Sequence, residues 1–544
     1  MQATAFLFLG LLAPVASADW DLTTLVFEGD VVFGGSTVTR IDNLAINDNL
    51  NWRVEVTTSD SAKNTLLGPD GAVSQEGQPF LAPPGATLSS FDALTLNNDG
   101  DSAVNFFLDG TTGSNDDSGV FFNLSLLIQE GSVSTAPEFS AGTTYRGFFE
   151  TKLSNDGTIL LLASVDDPII QSTVDQALIQ LTVDGAGNLV SESVLWKEGD
   201  TVPGSTGLIT TFGSSPHQFD MNDTGSMIFF ADTDLASGTD GFILLDGVVL
   251  AQEGQPSPIA GRNWSSLASP ETTLNNSGGY MYSGSLDGDS TTNAVIIKDG
   301  AKFMQEGDPV PGIPGFVFTS FGSGPLDLAD NGDVLWYGDW NDPNTDVDTG
   351  LFLNDELLVQ EGVTTVGGVV IDTLRGVQEG FFISDDGRFI IFEAILDDGN
   401  EGAFLLTRKG EITSIPGCST DGSTLTHVGG TPSIGGTLDL QLFSPSTFVG
   451  ARFLAVAGVN VLDGAGCGVN VPGVGEILIG FTPPNPFTIP AGTHAGTADV
   501  VTLPVPNNVA LVGMPRYVQA YYLFPGDPSN LFDLTNALEV TLGL

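Results

Sequence analysis

An internal repeat limits the fold of this chain more than any other feature of its sequence. A turn of the form Asx-Asx-x-Gly, where Asx is Asn or Asp, recurs about 54 residues apart. The copies, of which the first is degenerate, are Asn47-Asp48-Asn49, Asn98-Asp99-Gly100, Asn155-Asp156-Gly157, Asn222-Asp223-Thr224-Gly225, Asn275-Asn276-Ser277-Gly278, Asp330-Asn331-Gly332 and Asp385-Asp386-Gly387. This spacing predicts one structural unit that occurs seven times.

A second motif, Glu-Gly at the end of an apolar run, alternates with the first. Its copies are Glu28-Gly29, Glu76-Gly77, Glu130-Gly131, Glu198-Gly199, Glu253-Gly254, Glu306-Gly307 and Glu361-Gly362. A catalytic residue is normally unique, so seven copies indicate a structural role. The glutamate can accept backbone hydrogen bonds at a turn, while the glycine supplies an unusual φ angle.

Each unit contains four strand-like runs separated by turn residues. In the sixth unit these runs are residues 326–328, 334–337, 350–353 and 357–360. The second run is continuously apolar in most copies, which is typical of a strand buried on both faces. Four strands per unit, seven units and no helical pattern predict a seven-bladed β-propeller over residues 19–415. Residues 22–30 are expected to pair into the seventh unit and close the ring.

The repeat stops near residue 416, and the remaining residues 416–544 alternate short strands with turns rich in Gly, Pro and Thr. This pattern predicts a C-terminal β-sandwich, so the whole chain is expected to be all-β. The cysteines of the chain are Cys418 and Cys467. In an exported protein an isolated pair of this kind predicts a disulfide rather than a metal site.

The N-terminus carries the features of an export signal. An apolar stretch at residues 5–12 precedes Ala16-Ser17-Ala18, which has the form of a cleavage site, so residues 1–18 are predicted to be a signal peptide. No later segment has about 18 uninterrupted apolar residues, and no membrane span is predicted. We expect a monomer that is secreted or held at the cell surface.

The charge balance is strongly acidic. Lys and Arg number 15 against 67 Asp and Glu, which gives a formal net charge of −52. Such a field repels the phosphate backbone, so a nucleic-acid partner is not expected. One interpretation is solubility in salty water, where ions screen the self-repulsion. The other is binding of cations, chiefly Ca²⁺, and the two interpretations are compatible.

One acidic loop is the candidate metal site. Asp342, Asn344, Asp346 and Asp348 place oxygen ligands at alternate positions, as at the start of a calcium-binding loop. Val347 stands where such loops have Gly, and no Glu occupies the twelfth position, so a solvated acidic loop is the alternative. Ca²⁺ is the candidate cofactor, and no residue is assigned a catalytic role.

Two resemblances cover most of the chain after residue 18. Repeats such as Gln305-Glu306-Gly307-Asp308, combined with the Asn-Asp-x-Gly turns, resemble an uncharacterised β-propeller repeat family of secreted bacterial proteins. The tail around residues 503–513, 517–520 and 536–538 resembles a C-terminal module common on exported bacterial proteins. Neither resemblance implies an established activity, so no functional residue is transferred.

We therefore expect a non-catalytic extracellular or cell-surface protein that binds a glycan, a polymer or a protein. One alternative is a propeller hydrolase or lyase acting on polysaccharide, with carboxylates from different loops near the central channel. Another is a structural component of the cell envelope. Paired, unrepeated carboxylates in one deep pocket would favour the enzyme, whereas an exposed strip of Trp and Tyr would favour glycan binding.

Overall fold

The computed structural model describes residues 20–544 except 33–34, 61–62, 168–174, 214–216, 268–270, 324–325, 377–378, 419–421, 458–466, 472–473, 481–486, 495–497 and 528–530. The predicted signal peptide, residues 1–18, lies outside the described residues. The described part contains β-strands and one 3-10 helix, and no α-helix occurs in it. None of its helices has the length and apolar character needed to cross a membrane.

The chain forms two compact units, Leu22–Leu406 and Thr407–Leu544, the second of which also includes Trp20 and Asp21. Strand β1 (Trp20–Phe27) comes first in the chain and is described below with sheet 7. Sheets 1 to 3 follow, and each has four antiparallel strands in chain order. They are sheet 1, β2 Val38–Ile46, β3 Trp52–Thr58, β4 Asn64–Gly68 and β5 Gly71–Gln75; sheet 2, β6 Thr87–Leu96, β7 Ser102–Asp109, β8 Ser118–Phe122 and β9 Ser125–Gln129; and sheet 3, β10 Thr144–Leu153, β11 Thr158–Asp166, β12 Gln176–Val183 and β13 Leu189–Lys197.

Sheets 4 to 6 differ because their first strand is split into two short segments that both pair with the next strand. The strands are sheet 4, β14 Ile209–Thr211, β15 Phe219–Met221, β16 Met227–Thr233, β17 Phe242–Leu245 and β18 Val248–Gln252; sheet 5, β19 Trp264–Ser266, β20 Thr272–Leu274, β21 Tyr280–Leu286, β22 Ala294–Lys298 and β23 Ala301–Gln305; and sheet 6, β24 Phe318–Ser320, β25 Asp327–Leu328, β26 Val334–Trp340, β27 Thr349–Leu353 and β28 Glu356–Gln360. The sequence pattern predicted one first strand per unit and did not reveal this split, because no apolar periodicity marks a two- or three-residue segment.

Sheet 7 combines the two ends of the repeat region. It contains β29 Thr365–Val366, β30 Val369–Leu374, β31 Phe381–Ile383, β32 Phe389–Leu396 and β33 Glu401–Arg408. The N-terminal strand β1 lies beside β33, where the backbone N–H of Glu28 donates to the carbonyl of Glu401 at 2.9 Å. The predicted pairing of this strand with the seventh unit is therefore confirmed.

Apolar side chains fill the space between consecutive sheets, as the second strand of sheet 3 shows. Its residues Ile159 to Leu162 are completely buried. Ile159 and Leu161 belong to a cluster shared with sheet 2, whereas Leu160 and Leu162 belong to a cluster shared with sheet 4. Similar clusters join sheet 1 to sheet 2, sheet 4 to sheet 5, and sheet 5 to sheet 6. The predicted burial of this run on both faces is confirmed.

The Glu-Gly motif connects each sheet to the next through the backbone. In one copy, the Glu306 N–H donates to Ala294 in its own sheet at 3.0 Å, and the Gly307 N–H donates to Phe318 in the next sheet at 2.9 Å. The same two backbone bonds occur in all seven copies. The Glu306 carboxylate accepts the N–H groups of Asn293 and Ala294 at 2.9 Å, and Gly307 has a φ of 84°. The structural role predicted for this motif is confirmed.

The second unit consists of two main sheets, one hairpin and the 3-10 helix Val509–Leu511. Its strands are β34 Glu411–Ile415, β35 Thr424–Gly430, β36 Thr437–Phe443, β37 Gly450–Ala457, β38 Val469–Val471, β39 Gly475–Ile477, β40 Phe487–His494, β41 Asp499–Pro504, β42 Pro515–Leu523 and β43 Phe532–Thr541. One sheet has the order β34-β43-β42-β37-β40 and the other β35-β36-β41. Leu440 of the second sheet and Tyr522 of the first belong to one buried cluster. Cys418 and Cys467 form the predicted disulfide.

Candidate functional site

In six of the seven turns, the backbone N–H of the second residue of the four-residue turn, such as Asn98 in Asn97-Asn98-Asp99-Gly100, donates to the turn of the next sheet. The N–H of Asn98 donates to Asn155 Oδ1 at 2.7 Å, and the N–H of Asn155 donates to Asp223 Oδ1 at 2.6 Å. The series continues from Asp48 to Asn98, from Asp223 to Asn276 and from Asn276 to Asp330. The Asp330 N–H donates instead to the backbone carbonyl of Asp385, and in sheet 7 the next residue, Asp386, donates its N–H to Asp48 Oδ1 of sheet 1 at 2.8 Å. We call these residues the Asx ring: Asp48, Asn98, Asn155, Asp223, Asn276, Asp330 and Asp385.

The first residue of the turn adds a second set of links. Asn97 is buried, and its Oδ1 accepts the N–H groups of Asp99 and Asp101 within its own turn. Its Nδ2 donates to the Ser154 carbonyl of the next sheet at 3.3 Å. Asn47, Asn222 and Asn275 make the same kind of inter-sheet bond. Sequence analysis identified these turns only as a repeat and missed their role between sheets. The available signal was Asn at the first position of four of the seven turns.

A cavity of about 170 Å³ lies where the first strands of all seven sheets meet. Four members of the Asx ring line it: Asp223, Asn276, Asp330 and Asp385. A second level of the lining is formed by the residue three positions before each ring member. We call this level the inner layer: Ala45, Thr95, Lys152, Asp220, Thr273, Asp327 and Phe382.

The inner layer brings two carboxylates and an amine to one end of the cavity. Asp220 Oδ2 accepts the N–H of Leu274, and Asp327 Oδ2 accepts the N–H of Ile383, both at 2.9 Å. Burial raises the pKa of Asp327 to about 7, and Asp220 raises it further, whereas Lys152 opposes the shift. Burial also raises the pKa of Asp220. Lys152 is the one basic residue among those that line the cavity.

His217 lies beside the inner layer. Its side chain is 5% exposed, and its ring centroid lies 6.0 Å from that of Phe382. Burial, together with the charge of Lys152, lowers the pKa of His217 well below its usual value, so the ring is neutral. Among the residues that the structure describes, Nε2 has no hydrogen-bond partner. Sequence analysis assigned this histidine no function, because the residues around it are far apart in the chain.

More buried acids surround Lys152. Glu150 is 3% exposed, and burial raises its pKa to about 8 against the opposing charge of Lys152. Burial raises the pKa of Glu379 to about 7, and Lys152 again opposes the shift. Glu379 also adopts a φ of 64°, which is uncommon for a residue other than glycine. Because their pKa values lie near or above 7, these two carboxyl groups are protonated to a large extent at neutral pH and add little negative charge around Lys152.

The candidate calcium loop is elsewhere, between β26 and β27 of sheet 6. The Asn344 N–H donates to Asp342 Oδ1 at 2.8 Å, and the Asp346 N–H donates to Asn344 Oδ1 at 3.4 Å. Burial raises the pKa of Asp348, and the carboxylates of Asp339, Asp342 and Asp346 raise it further. Within the described residues, the carboxylate oxygens of these aspartates do not form a group of three within 4.8 Å. The calcium site stays a prediction.

One group in the second unit does meet that distance condition, namely Cys418, Cys467 and Glu476. The two sulfur atoms are joined in the disulfide and are not thiolate ligands. Glu476 instead accepts the N–H groups of Cys418 and Gly468, each at 2.7 Å. The arrangement therefore supports the disulfide loop rather than a metal.

Several solved structures show slight similarity to the chain. Prolyl oligopeptidase B from Galerina marginata matches with a TM-score of 0.34 and 10% identity, over 75% of this chain and 56% of that one. A protein of unknown function from Dyadobacter fermentans has a TM-score of 0.28 and 10% identity, over 60% of this chain and 100% of that one. Trypanosoma rangeli sialidase, solved with the inhibitor DANA, has a TM-score of 0.27 and 11% identity, over 84% of this chain and 93% of that one. This chain thus spans little more than half of the peptidase.

Comparison with curated proteins finds no match. A family model matches the repeat region twice, over residues 21–242 and 191–404. The two matches overlap, as expected when one model fits successive parts of a repeat. Together they extend over more than half of the chain, which therefore belongs to the Family of unknown function (DUF7453).

Proposed function

We propose that the chain is an exported, non-catalytic binding protein whose ligand enters the axial cavity. Its first part, residues 19–415, would be a closed seven-bladed β-propeller, followed by a β-sandwich over residues 416–544 and preceded by the signal peptide. The hydrogen bonds that run from sheet to sheet and return from Asp386 to Asp48 support the closed ring. The disulfide is compatible with an oxidising extracellular compartment.

The observation that carries this proposal is the contrast between the two levels of the cavity. Every member of the Asx ring is Asn or Asp, and all of them except Asp385 donate their backbone N–H to the turn of the next sheet. The inner layer holds Ala, Thr, Lys, Asp, Thr, Asp and Phe at the equivalent positions. A position that serves only the repeat would keep one residue type, whereas a site for an asymmetric ligand needs different groups around the axis.

A polysaccharide hydrolase is the second candidate function, and the pair of carboxylates formed by Asp220 and Asp327 favours it. These two unrepeated carboxylates share one cavity, and an acid with a pKa of about 7 could donate a proton at neutral pH. Two observations favour binding instead. Both carboxylates already accept backbone N–H bonds, and a cavity of about 170 Å³ leaves no room for a polysaccharide chain together with a catalytic water.

Glycan recognition through stacked aromatic rings receives no support in the described part of the chain. Trp264, Trp336 and Trp340 are fully buried in the packing between sheets. No Trp or Tyr is among the exposed large hydrophobic side chains of the described residues. The cavity, rather than an aromatic strip, is therefore the place where a ligand would bind.

The test is a binding screen and a hydrolase screen of the purified protein, each with and without Ca²⁺. The cavity variant is the double substitution Asp220→Asn and Asp327→Asn, which keeps an oxygen to accept the backbone N–H groups. The matched control is Asp355→Asn, an exposed aspartate in the β27–β28 turn. Binding that the cavity variant loses and the control keeps would support the proposal. Turnover of a glycan that the cavity variant abolishes would replace it with the hydrolase.

A further inference from the structure

The seven Glu-Gly motifs make the same backbone link between sheets, but one residue beside this link differs from sheet to sheet. The N–H of each glutamate donates to a carbonyl at or next to the start of the third strand of its own sheet. We call the residue just before that acceptor the joint position: Lys63, Asp117, Asp175, Asp240, Asn293, Asp348 and Asn400. Sheets 1, 5 and 7 thus have a lysine or an amide where the other four sheets have a carboxyl group.

In sheets 2, 3 and 4 the aspartate at the joint position is hydrogen-bonded to the glutamate of the motif. The carboxyl pairs are Asp117 with Glu130, Asp175 with Glu198 and Asp240 with Glu253. These three glutamates are buried, whereas the other four are half-buried. Two carboxyl groups this close share a proton, because two like charges repel strongly where water is excluded. The aspartate of sheet 6, Asp348, belongs to the candidate calcium loop and is not counted among the three pairs.

The paired glutamates also take part in the joints through single hydrogen bonds. Glu198 Oε2 accepts the N–H of Asp175 at 3.3 Å, which fixes the two residues of that pair against each other. Glu253 Oε1 accepts the N–H of Leu267, which follows β19 in sheet 5, at 2.6 Å. The sheet 4 pair therefore bonds directly to the next sheet, and a change in its charge acts on that contact.

The other charged groups near the three pairs are acidic or are bound elsewhere. Lys197, which precedes the glutamate of sheet 3, forms an ion pair with Asp200. Burial raises the pKa of Asp232 in sheet 4, and the charge of Asp240 adds to the shift. In sheet 2, Asp116 accepts the N–H of Gly113 within its own loop at 2.9 Å. The charged partner of each glutamate is thus its own aspartate.

The pairs bind protons more tightly in the folded chain than in the unfolded chain. Burial, together with the charge of Asp175, raises the pKa of Glu198 from 4.5 to about 8. Burial and the paired aspartates also raise the pKa values of Glu130 and Glu253. The stability that the Glu198 pair supplies is therefore complete at low pH and is lost as the pH rises through about 8. Above that pH both carboxyl groups are charged and repel each other.

We propose that these three joints make sheets 2 to 5 an alkaline-sensitive arc, which loosens when the shared protons are lost. The joints that begin in sheets 1, 5 and 7 lack the second carboxyl group and would stay closed. The arc includes the strands that carry Lys152 and Asp220 to the axial cavity. One side of the cavity would therefore respond to pH, while β1 keeps sheet 7 linked to sheet 1.

Hydrogen–deuterium exchange of the full chain at pH 6 and pH 9 tests this inference, with each rate divided by that of an unstructured peptide at the same pH. The reporters are glycine N–H groups that donate to the next sheet: Gly131, Gly199 and Gly254 in the arc, and Gly29, Gly77 and Gly307 outside it. Between these pH values, we expect opening in the arc to increase about tenfold or more relative to the glycines outside it. An equal change at all six glycines, or no change at any, would overturn the inference.

Two variants assign the effect to one pair. Asp175→Asn gives sheet 3 the residue type that sheets 5 and 7 carry, and exchange at Gly199 should become nearly independent of pH, while the other two glycines of the arc keep their dependence. Glu198→Gln, which can donate to Asp175 at every pH, should have the same effect. Asp355→Asn removes one exposed charge away from the pairs and should leave Gly199 as in the unaltered protein. A pH dependence of Gly199 that survives both pair variants would contradict the proposed arc.

Discussion

At the scale of single residues, buried amides connect neighbouring sheets. Asn97 is 4% exposed and makes three hydrogen bonds, two within its own turn and one to Ser154 of the next sheet. Sheets 3 and 7 have Ser154 and Ser384 at this position, and these hydroxyl groups bond within their own turns. At this position, therefore, an Asn side chain bonds to the next sheet, whereas a Ser hydroxyl bonds within its own turn.

Replacing Asn97 by Ala should lower the free energy of unfolding by about 1–3 kcal/mol, because buried N–H groups lose their acceptor. Asn97→Ser should cost less, since a hydroxyl can still accept within the turn. Urea denaturation measures both. The control is Asn188→Ala in the exposed β12–β13 turn, for which a change within about 0.5 kcal/mol is expected. Equal effects of Asn97→Ala and Asn188→Ala would contradict the role of the inter-sheet bond.

Buried acids give the protein an unusual dependence on pH. The pKa values of Glu55 and Glu150 are raised from 4.5 to about 8, chiefly by burial. The folded state therefore holds protons that the unfolded state releases above about pH 4.5. By linkage, the stability from these groups is complete at low pH and is lost as the pH rises towards 8.

We expect the free energy of unfolding to fall between pH 5 and pH 8. Glu150→Gln, which stays neutral at every pH, should make this fall less steep than in the unaltered protein. Urea denaturation at a series of pH values measures both curves. Asp355→Asn serves as the control, since that side chain is exposed and its curve should follow the unaltered protein. A stability that is constant or rises over this range would show that these carboxyl groups are ionised in the folded state.

At the scale of elements, β1 completes a sheet whose other strands, β29 to β33, come from the far end of the repeat region, at residues 365–408. It pairs with β33, and the next residues continue the pattern, because the Gly29 N–H donates to Val38 of sheet 1 at 2.8 Å. Without β1, the backbone groups of β33 would form an open edge, which is a site of aggregation in β proteins.

A chain that lacks residues 20–30 should unfold at lower denaturant concentration than a chain that begins at Asp19, and it should aggregate more readily. A synthetic peptide of residues 20–30, added to the shortened chain, should restore part of the loss by pairing with β33. Urea denaturation and light scattering measure these effects. A peptide in which Val26 is replaced by Asp is the control, because Val26 is 4% exposed in the folded chain. Unchanged stability of the shortened chain would exclude a closing role for β1.

At the scale of the whole molecule, the net charge of −52 opposes compaction. Raising NaCl from about 10 mM to about 1 M should raise the Tm, because the screening length falls from about 30 Å to about 3 Å. A further rise in CaCl2 at matched ionic strength would indicate specific calcium binding. Asp346→Asn should remove that increment if the Asp342–Asp348 loop holds the ion, and Asp355→Asn should not. A Tm that is equal in the two salts would contradict the predicted calcium site.

The sequence by itself determined the features that depend on local pattern. The two alternating motifs indicated the repeated unit, the order of its strands and a structural role for Glu-Gly, because residues that serve the same turn in every unit recur at the spacing of the unit. The isolated pair Cys418 and Cys467 indicated the disulfide for an equally simple reason, since no other cysteine could take part.

The tertiary structure alone decided the site. Lys152, Asp220 and Asp327 come from three different repeats, and His217 lies in the segment between the two halves of a split strand. These residues share no motif, since an asymmetric cavity requires each repeat to differ at the same position. They meet because the first strands of all the sheets converge on one axis. Residues that lie far apart in the chain therefore line one cavity, and each sheet contributes a different side chain to it.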